Sequence, residues 1–238
     1  MTSASRQIAM SISTRSRLVE LQKQYSDPLL TVLTFLLLVM LFVVAPFEAA
    51  GLKIFELFGV VVGVAMIAGV FVMSSSVAAT AVVFGGFLLN AVVVVARLNG
   101  RFSYDLYLIA IAWLSIVCTV GFVVARKVFG PGPVTYHRIV GAVLLYMLIA
   151  MAFVSLFTVV GLWVPNAFNG MALEDNQKMS SNLIYFSFVT LTSTGYGDIF
   201  PVHPVARSLC NLETIIGQLY PATLLARLVT LEIEGRRR

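Results

Sequence analysis

The chain has 238 residues, of which 59% are hydrophobic and 11% charged, with a mean hydropathy of +0.95 and a formal net charge of +5. A soluble domain is about 45–50% apolar and about 25% charged, so an ordinary soluble globule and a disordered chain are both excluded. The basic excess does not indicate nucleic acid, because the 16 Lys and Arg lie mostly outside the apolar runs, where a membrane protein carries them.

Residues 1–28 are polar and hold Arg6, Arg15, Arg17 and Lys23. They read as a cytoplasmic N-terminal segment without a cleavable signal. Within it, residues 13–24 form either an interfacial helix or a disordered leader. Crossing a bilayer core of about 30 Å takes roughly 20 apolar residues. The runs 29–47, 54–73, 77–96 and 106–125 meet that length and make up a four-helix module over 29–129. Gly59 and Gly63 form a GxxxG in the second run, which favours close helix packing. The fourth run holds no basic residue, and Arg126 and Lys127 follow at its end. A voltage-sensing helix needs charges inside the field, each worth about 2.3 kcal/mol per 100 mV. The module therefore occupies the place of a voltage sensor without gating charges.

Gly130, Pro131, Gly132 and Pro133 break the helical pattern, since the residue before a proline is pushed away from helix. A second module follows over 130–235. It contains an outer helix at 139–164, a short helix at 182–193, a loop at 193–197 and an inner helix at 203–232. The short helix would rise about 18 Å, too little to span, so it reads as re-entrant. Ser180 or Ser181 is placed to cap it. Cys118 and Cys210 both sit in apolar runs, which argues against a disulfide framework or a metal site. The expected fold is an all-α membrane protein of six transmembrane helices with a re-entrant helix and loop. With the N-terminus inside, eleven basic residues lie on the cytoplasmic side and five outside. Both termini are thus expected in the cytoplasm of a cell with this protein in its plasma membrane. The terminal Arg236, Arg237 and Arg238 suit an anionic inner leaflet.

The stretch that carries chemistry is Thr190-Leu191-Thr192-Ser193-Thr194-Gly195-Tyr196-Gly197-Asp198. Two glycines around a tyrosine make a poor helix. Irregular backbone at membrane depth persists only where it is buried in protein or lines a water-filled path. Residues with left-handed angles, alternating with ordinary ones, turn successive carbonyls toward one side. Rows of such carbonyls replace the water shell of a dehydrated cation.

This stretch resembles the potassium-channel signature, a resemblance that covers roughly 139–232 and is close over 185–201. The resemblance implies a selectivity filter of Ser193, Thr194, Gly195, Tyr196 and Gly197 that binds K⁺ as the conducted ion, with no cofactor and no enzymatic activity. It also implies support from Thr192, Tyr185, Phe186 and Asp198, with the two aromatics either bracing the filter or serving only as packing. Ser193 stands where the family has threonine, and Thr194 where it has valine or isoleucine. Serine keeps the hydroxyl ligand, while the Thr194 hydroxyl needs a partner away from the ions. Val189 stands where many relatives carry an acid that pairs with the aspartate after the filter, so Asp198 needs another partner, Tyr185 or water.

One filter sequence per chain cannot ring an ion, so a homotetramer is expected. On the inner helix, Gly217 and Pro221 resemble a hinge, with a static kinked helix as the alternative. Gln218, Leu225 and Val229 fall on the line expected to face a cavity. Glu213 is a carboxylate at membrane depth, which is costly and usually functional; it either bonds hydroxyls behind the short helix or faces ions. Glu174 and Asp175 are placed to concentrate cations at the mouth or to lie in a plain solvated loop. His203 is a surface histidine or a pH sensor. The leading reading is a potassium channel without an arginine-based voltage sensor. A non-selective cation pore and an ion-coupled transporter are the alternatives, although only one broken element is present. No nucleophile–base pair, HExxH or phosphate loop points to an enzyme, and His137 and His203 flank opposite ends of the second module.

Overall fold

The computed structural model describes residues 27–49, 55–74, 76–97, 100, 104–130, 135–171 and 177–236. The segment 13–24, Glu174 and Asp175 lie outside the described residues. Among the described residues seven helices follow in order: α1 (Asp27–Phe47), α2 (Phe55–Ser74), α3 (Val77–Arg97), α4 (Asp105–Val128), α5 (Tyr136–Trp163), α6 (Gln177–Leu191) and α7 (Pro204–Arg236). Two strands of two residues, β1 (Phe168–Asn169) and β2 (Phe200–Pro201), pair antiparallel. Among the described residues, α1, α3, α4 and α5 are long and apolar enough to cross a membrane. The other two expected crossings fall on α2 and α7, of 20 and 33 residues.

Three breaks in the helices have a local cause. In α1 the backbone widens to a π turn over Met40–Val44, where the Ala45 N–H bonds Met40 O. Pro46 follows and has no N–H to donate; a π turn is one of the recognised ways a helix absorbs such a break. Thr135 caps α5, its hydroxyl accepting from the Arg138 N–H. Pro204 opens α7, where its missing N–H costs nothing.

The four-helix module packs onto the second module of its own chain, most extensively through α4 against α5. Thr34 Oγ1 on α1 donates to Val140 O on α5, and Thr31 Oγ1 bonds His137 Nδ1. One apolar core runs through α1 to α5, including Leu30, Val70, Val83, Ile116, Val124 and Leu148. A second, at the far end of α5, gathers Phe153, Phe157, Phe168, Leu183, Phe186 and Cys210. In the close approaches, Gly63 faces the Phe87 ring, which a Cβ would meet at 2.9 Å. Two ion pairs sit at helix ends: Arg97 Nε with Asp105 Oδ2 at 2.7 Å, and Lys127 Nζ with Asp27 Oδ1 at 3.0 Å.

Candidate functional site

Helices α5 and α7 flank α6, and both pack against it. The short helix runs from Gln177 to Leu191 rather than over 182–193. Its start is earlier because nothing in Gln177-Lys178-Met179 opposes helix, so Ser180 and Ser181 lie inside it and not at its cap. Its end is earlier because the chain closes it with a two-bond turn. The Ser193 N–H donates to Thr190 O at 3.0 Å, and the Thr194 N–H to Val189 O at 2.9 Å. That is a Schellman motif, which requires a left-handed residue just past the helix. Ser193 takes this place with φ of +57°, although it is not glycine.

Positive φ then recurs at alternate residues: Ser193 at +57°, Gly195 at +59° and Gly197 at +82°. Thr194 and Tyr196 between them have negative φ. A Cβ on Gly195 or Gly197 would meet nothing within 4 Å, so in the single chain these glycines answer to backbone angle and not to space. The whole stretch from Thr192 to Asp198 is exposed in the single chain.

Side chains around the loop are paired. Thr192 Oγ1 lies 2.8 Å from Thr194 Oγ1, which gives the Thr194 hydroxyl its partner. Gln218 Nε2 on α7 donates to Ser193 Oγ at 2.7 Å. Tyr185 donates to Asp198 Oδ2 at 2.9 Å, and its ring stacks on Tyr196 with centroids 6.3 Å apart. Phe186 departs from the expected brace. Neighbours on a helix point in different directions, and Phe186 is turned into the second core, 5.0 Å from the Phe157 ring and 5.4 Å from Phe168. Tyr185 alone of the two faces the loop.

The last carbonyls of α6 are held from both sides. Thr214 Oγ1 on α7 donates to Thr190 O, and the Tyr146 hydroxyl on α5 donates to Leu191 O, each at 3.3 Å. Gly217 packs directly on this end: a Cβ there would sit 1.9 Å from Leu191 O. Its glycine is required by close approach, whatever it adds as a hinge. Pro221 lies within the continuous α7. Leu225 is exposed, while the Val229 side chain lies outside the described residues. Glu213 is fully buried against Ser187 of α6. His203 Nδ1 accepts from the Val205 N–H at 3.3 Å, at the start of α7.

Three features were not anticipated from sequence. Gly170, with φ of +86°, lets the outer loop touch the chain after the filter-like stretch, since a Cβ would lie 1.9 Å from Asp198 O. Ala167 O accepts from the N–H groups of Val202 and His203, closing the same junction. Arg227 reaches from α7 to Phe129 O at 2.8 Å and sits over the Phe129 ring, joining the inner helix to the end of α4. A lone glycine in a polar loop and a lone arginine near a helix end carry no periodic signal.

Residues 142–233 match the family model described as "Ion channel". The match covers the outer helix, short helix, loop and inner helix. The chain is also similar to Protein LctB of Bacillus caldotenax, 30% identical over 91 residues, which are 38% of this chain and 61% of that protein. The matched region thus spans less than two thirds of this relative. No solved structure matches the chain. The second module is therefore similar to an ion channel domain, and the apolar helices are those of a membrane protein.

Proposed function

We propose that the protein is a potassium-selective channel in the plasma membrane, a homotetramer of six-span subunits that conducts K⁺ passively and has no arginine-based voltage sensor. The observation that carries the reading is the alternation of left-handed backbone at Ser193, Gly195 and Gly197, held at the end of a short helix. Such alternation turns successive carbonyls to one side, where they replace hydration around a cation. Ser193, Thr194, Gly195, Tyr196 and Gly197 supply the ion sites. Thr192, Tyr185 and Asp198 hold the loop from behind.

Four copies are needed, because one strand of carbonyls cannot surround an ion. The exposed Leu212, Ile215 and Leu219 on α7 recur at helical spacing and suit contact with neighbouring copies. Gln218 faces the entrance to the path below Ser193. Both termini lie in the cytoplasm, where the terminal arginines meet anionic lipid.

Purified protein in liposomes with a K⁺ gradient tests the reading. K⁺ flux far above Na⁺ flux, abolished by Gly195→Asp, is the expected result. Equal Na⁺ flux would replace it with a non-selective cation pore. Coupled uptake of a second solute would replace it with a transporter.

A further inference from the structure

Glu213 lies on α7 one turn before Gly217 and has no exposed surface. Its Oε1 is 2.5 Å from Ser187 Oγ on α6. The same Ser187 Oγ is 2.9 Å from Ala150 O on α5. A serine hydroxyl has one proton to donate, and a backbone carbonyl can only accept. An ionised carboxylate also only accepts. With Glu213 ionised, one proton would face two acceptors, and one of the two close contacts would be oxygen against oxygen with nothing between.

The rest of the carboxyl group points the same way. Oε2 has no partner among the described residues. An unpaired anionic oxygen in a closed apolar site is far costlier than an unpaired neutral one. The titratable neighbours that its charge reaches are Cys210 on the same helix and Tyr146 on α5. Neither is a cation that would compensate a negative charge.

We propose that Glu213 is held as a neutral acid that donates its proton to Ser187, while Ser187 donates to Ala150 O. A single relay then fastens inner, short and outer helices at one point, within two turns of Ser193. Glu213 is a positioning residue: it touches no ion and acts through α6. The proton is independent of the conducting-pore reading, whereas its effect on ion selection rests on that reading.

Infrared spectroscopy of the full-length protein in lipid at neutral pH tests the proton. The carbonyl band of a protonated carboxylic acid is expected in the wild type and lost in Glu213→Gln. A wild type without that band, or a band unchanged in Glu213→Gln, would overturn the proposal. Bi-ionic K⁺/Na⁺ recordings test the positioning. Glutamine keeps a donor for Ser187, so Glu213→Gln is expected to hold the permeability ratio within about twofold, whereas Ser187→Ala and Glu213→Leu lower it by about fivefold or more. Ser187→Ala removes a single oxygen and keeps the fold readable if the leucine variant fails to assemble. An unchanged ratio in Ser187→Ala would refute the positioning role. A wild type that passes no K⁺ would refute the pore reading instead, and the infrared band would still decide the proton.

Discussion

Ser193 bears two demands that pull in opposite directions. Its backbone is left-handed because it closes the short helix, a conformation that costs a non-glycine residue roughly 1–2 kcal/mol. Its hydroxyl accepts from Gln218. Ser193→Gly relieves that strain but gives the unfolded chain roughly 0.5–1 kcal/mol more freedom and removes the Gln218 bond, so stability is expected to change by less than about 1 kcal/mol while K⁺ over Na⁺ selection falls. Thermal unfolding and bi-ionic reversal potentials read the two effects separately, and unchanged selection would contradict this account. Gln218→Leu removes the bond and keeps the backbone. A net hydrogen bond is worth about 0.5–1.5 kcal/mol, so the permeability ratio is expected to fall by about two- to tenfold. At Gly217 the obstacle to a side chain is the Leu191 carbonyl. Gly217→Ala is expected to destabilise by at least the ~1–3 kcal/mol of an overfilled core, measured as a lower midpoint of thermal unfolding. A hinge without that contact would tolerate alanine with little change. Gly217 was legible in the sequence as a special position, but the reason was not, because the contact is made by backbone 26 residues away.

At the scale of elements, the apolar runs showed where helices lie but not where they stop. The expected short helix covered the continuous apolar part and missed the turn before it, since Gln177-Lys178-Met179 offers a single apolar residue, Met179, yet fits a helix. It overran at the other end because no glycine marks the stop; Ser193 does that work without the usual residue. Tyr185 and Phe186 were expected to act together, and the helical turn separates them: one stacks on Tyr196, the other fills the aromatic core. Phe186→Ala is therefore expected to act on stability, by about 3–5 kcal/mol, whereas Tyr185→Phe loses only the bond to Asp198, about 1 kcal/mol. Chemical denaturation of both variants checks the contrast. Comparable losses would show that the two rings share one role.

Across the whole molecule, the four-helix module is fastened to the pore-like module of its own chain. Packing of α4 on α5, the bonds of Thr34 to Val140 O and of Thr31 to His137 between α1 and α5, and the Arg227 bond to Phe129 O all join the two. The α4 helix carries its two basic residues in the last turn, with Arg126 over the Phe122 ring and Lys127 on Asp27. No charge of α4 is placed to cross the field. Open probability is accordingly expected to vary little between about −100 and +100 mV; a steep curve in planar bilayers would contradict the absence of a sensor. The helices α1, α3, α4 and α5 were readable in the sequence because length and apolarity are local properties. The hydrogen-bonded joints between modules were not, because they pair residues about a hundred positions apart.

The proposed channel requires four copies sharing one ion path. A density map of the protein in lipid nanodiscs with K⁺ tests this most directly. Four-fold symmetry is predicted, with ion density on the axis beside the main-chain oxygens of Ser193 to Gly197. A monomer or dimer, or a map with Tyr196 away from any symmetry axis, would contradict it.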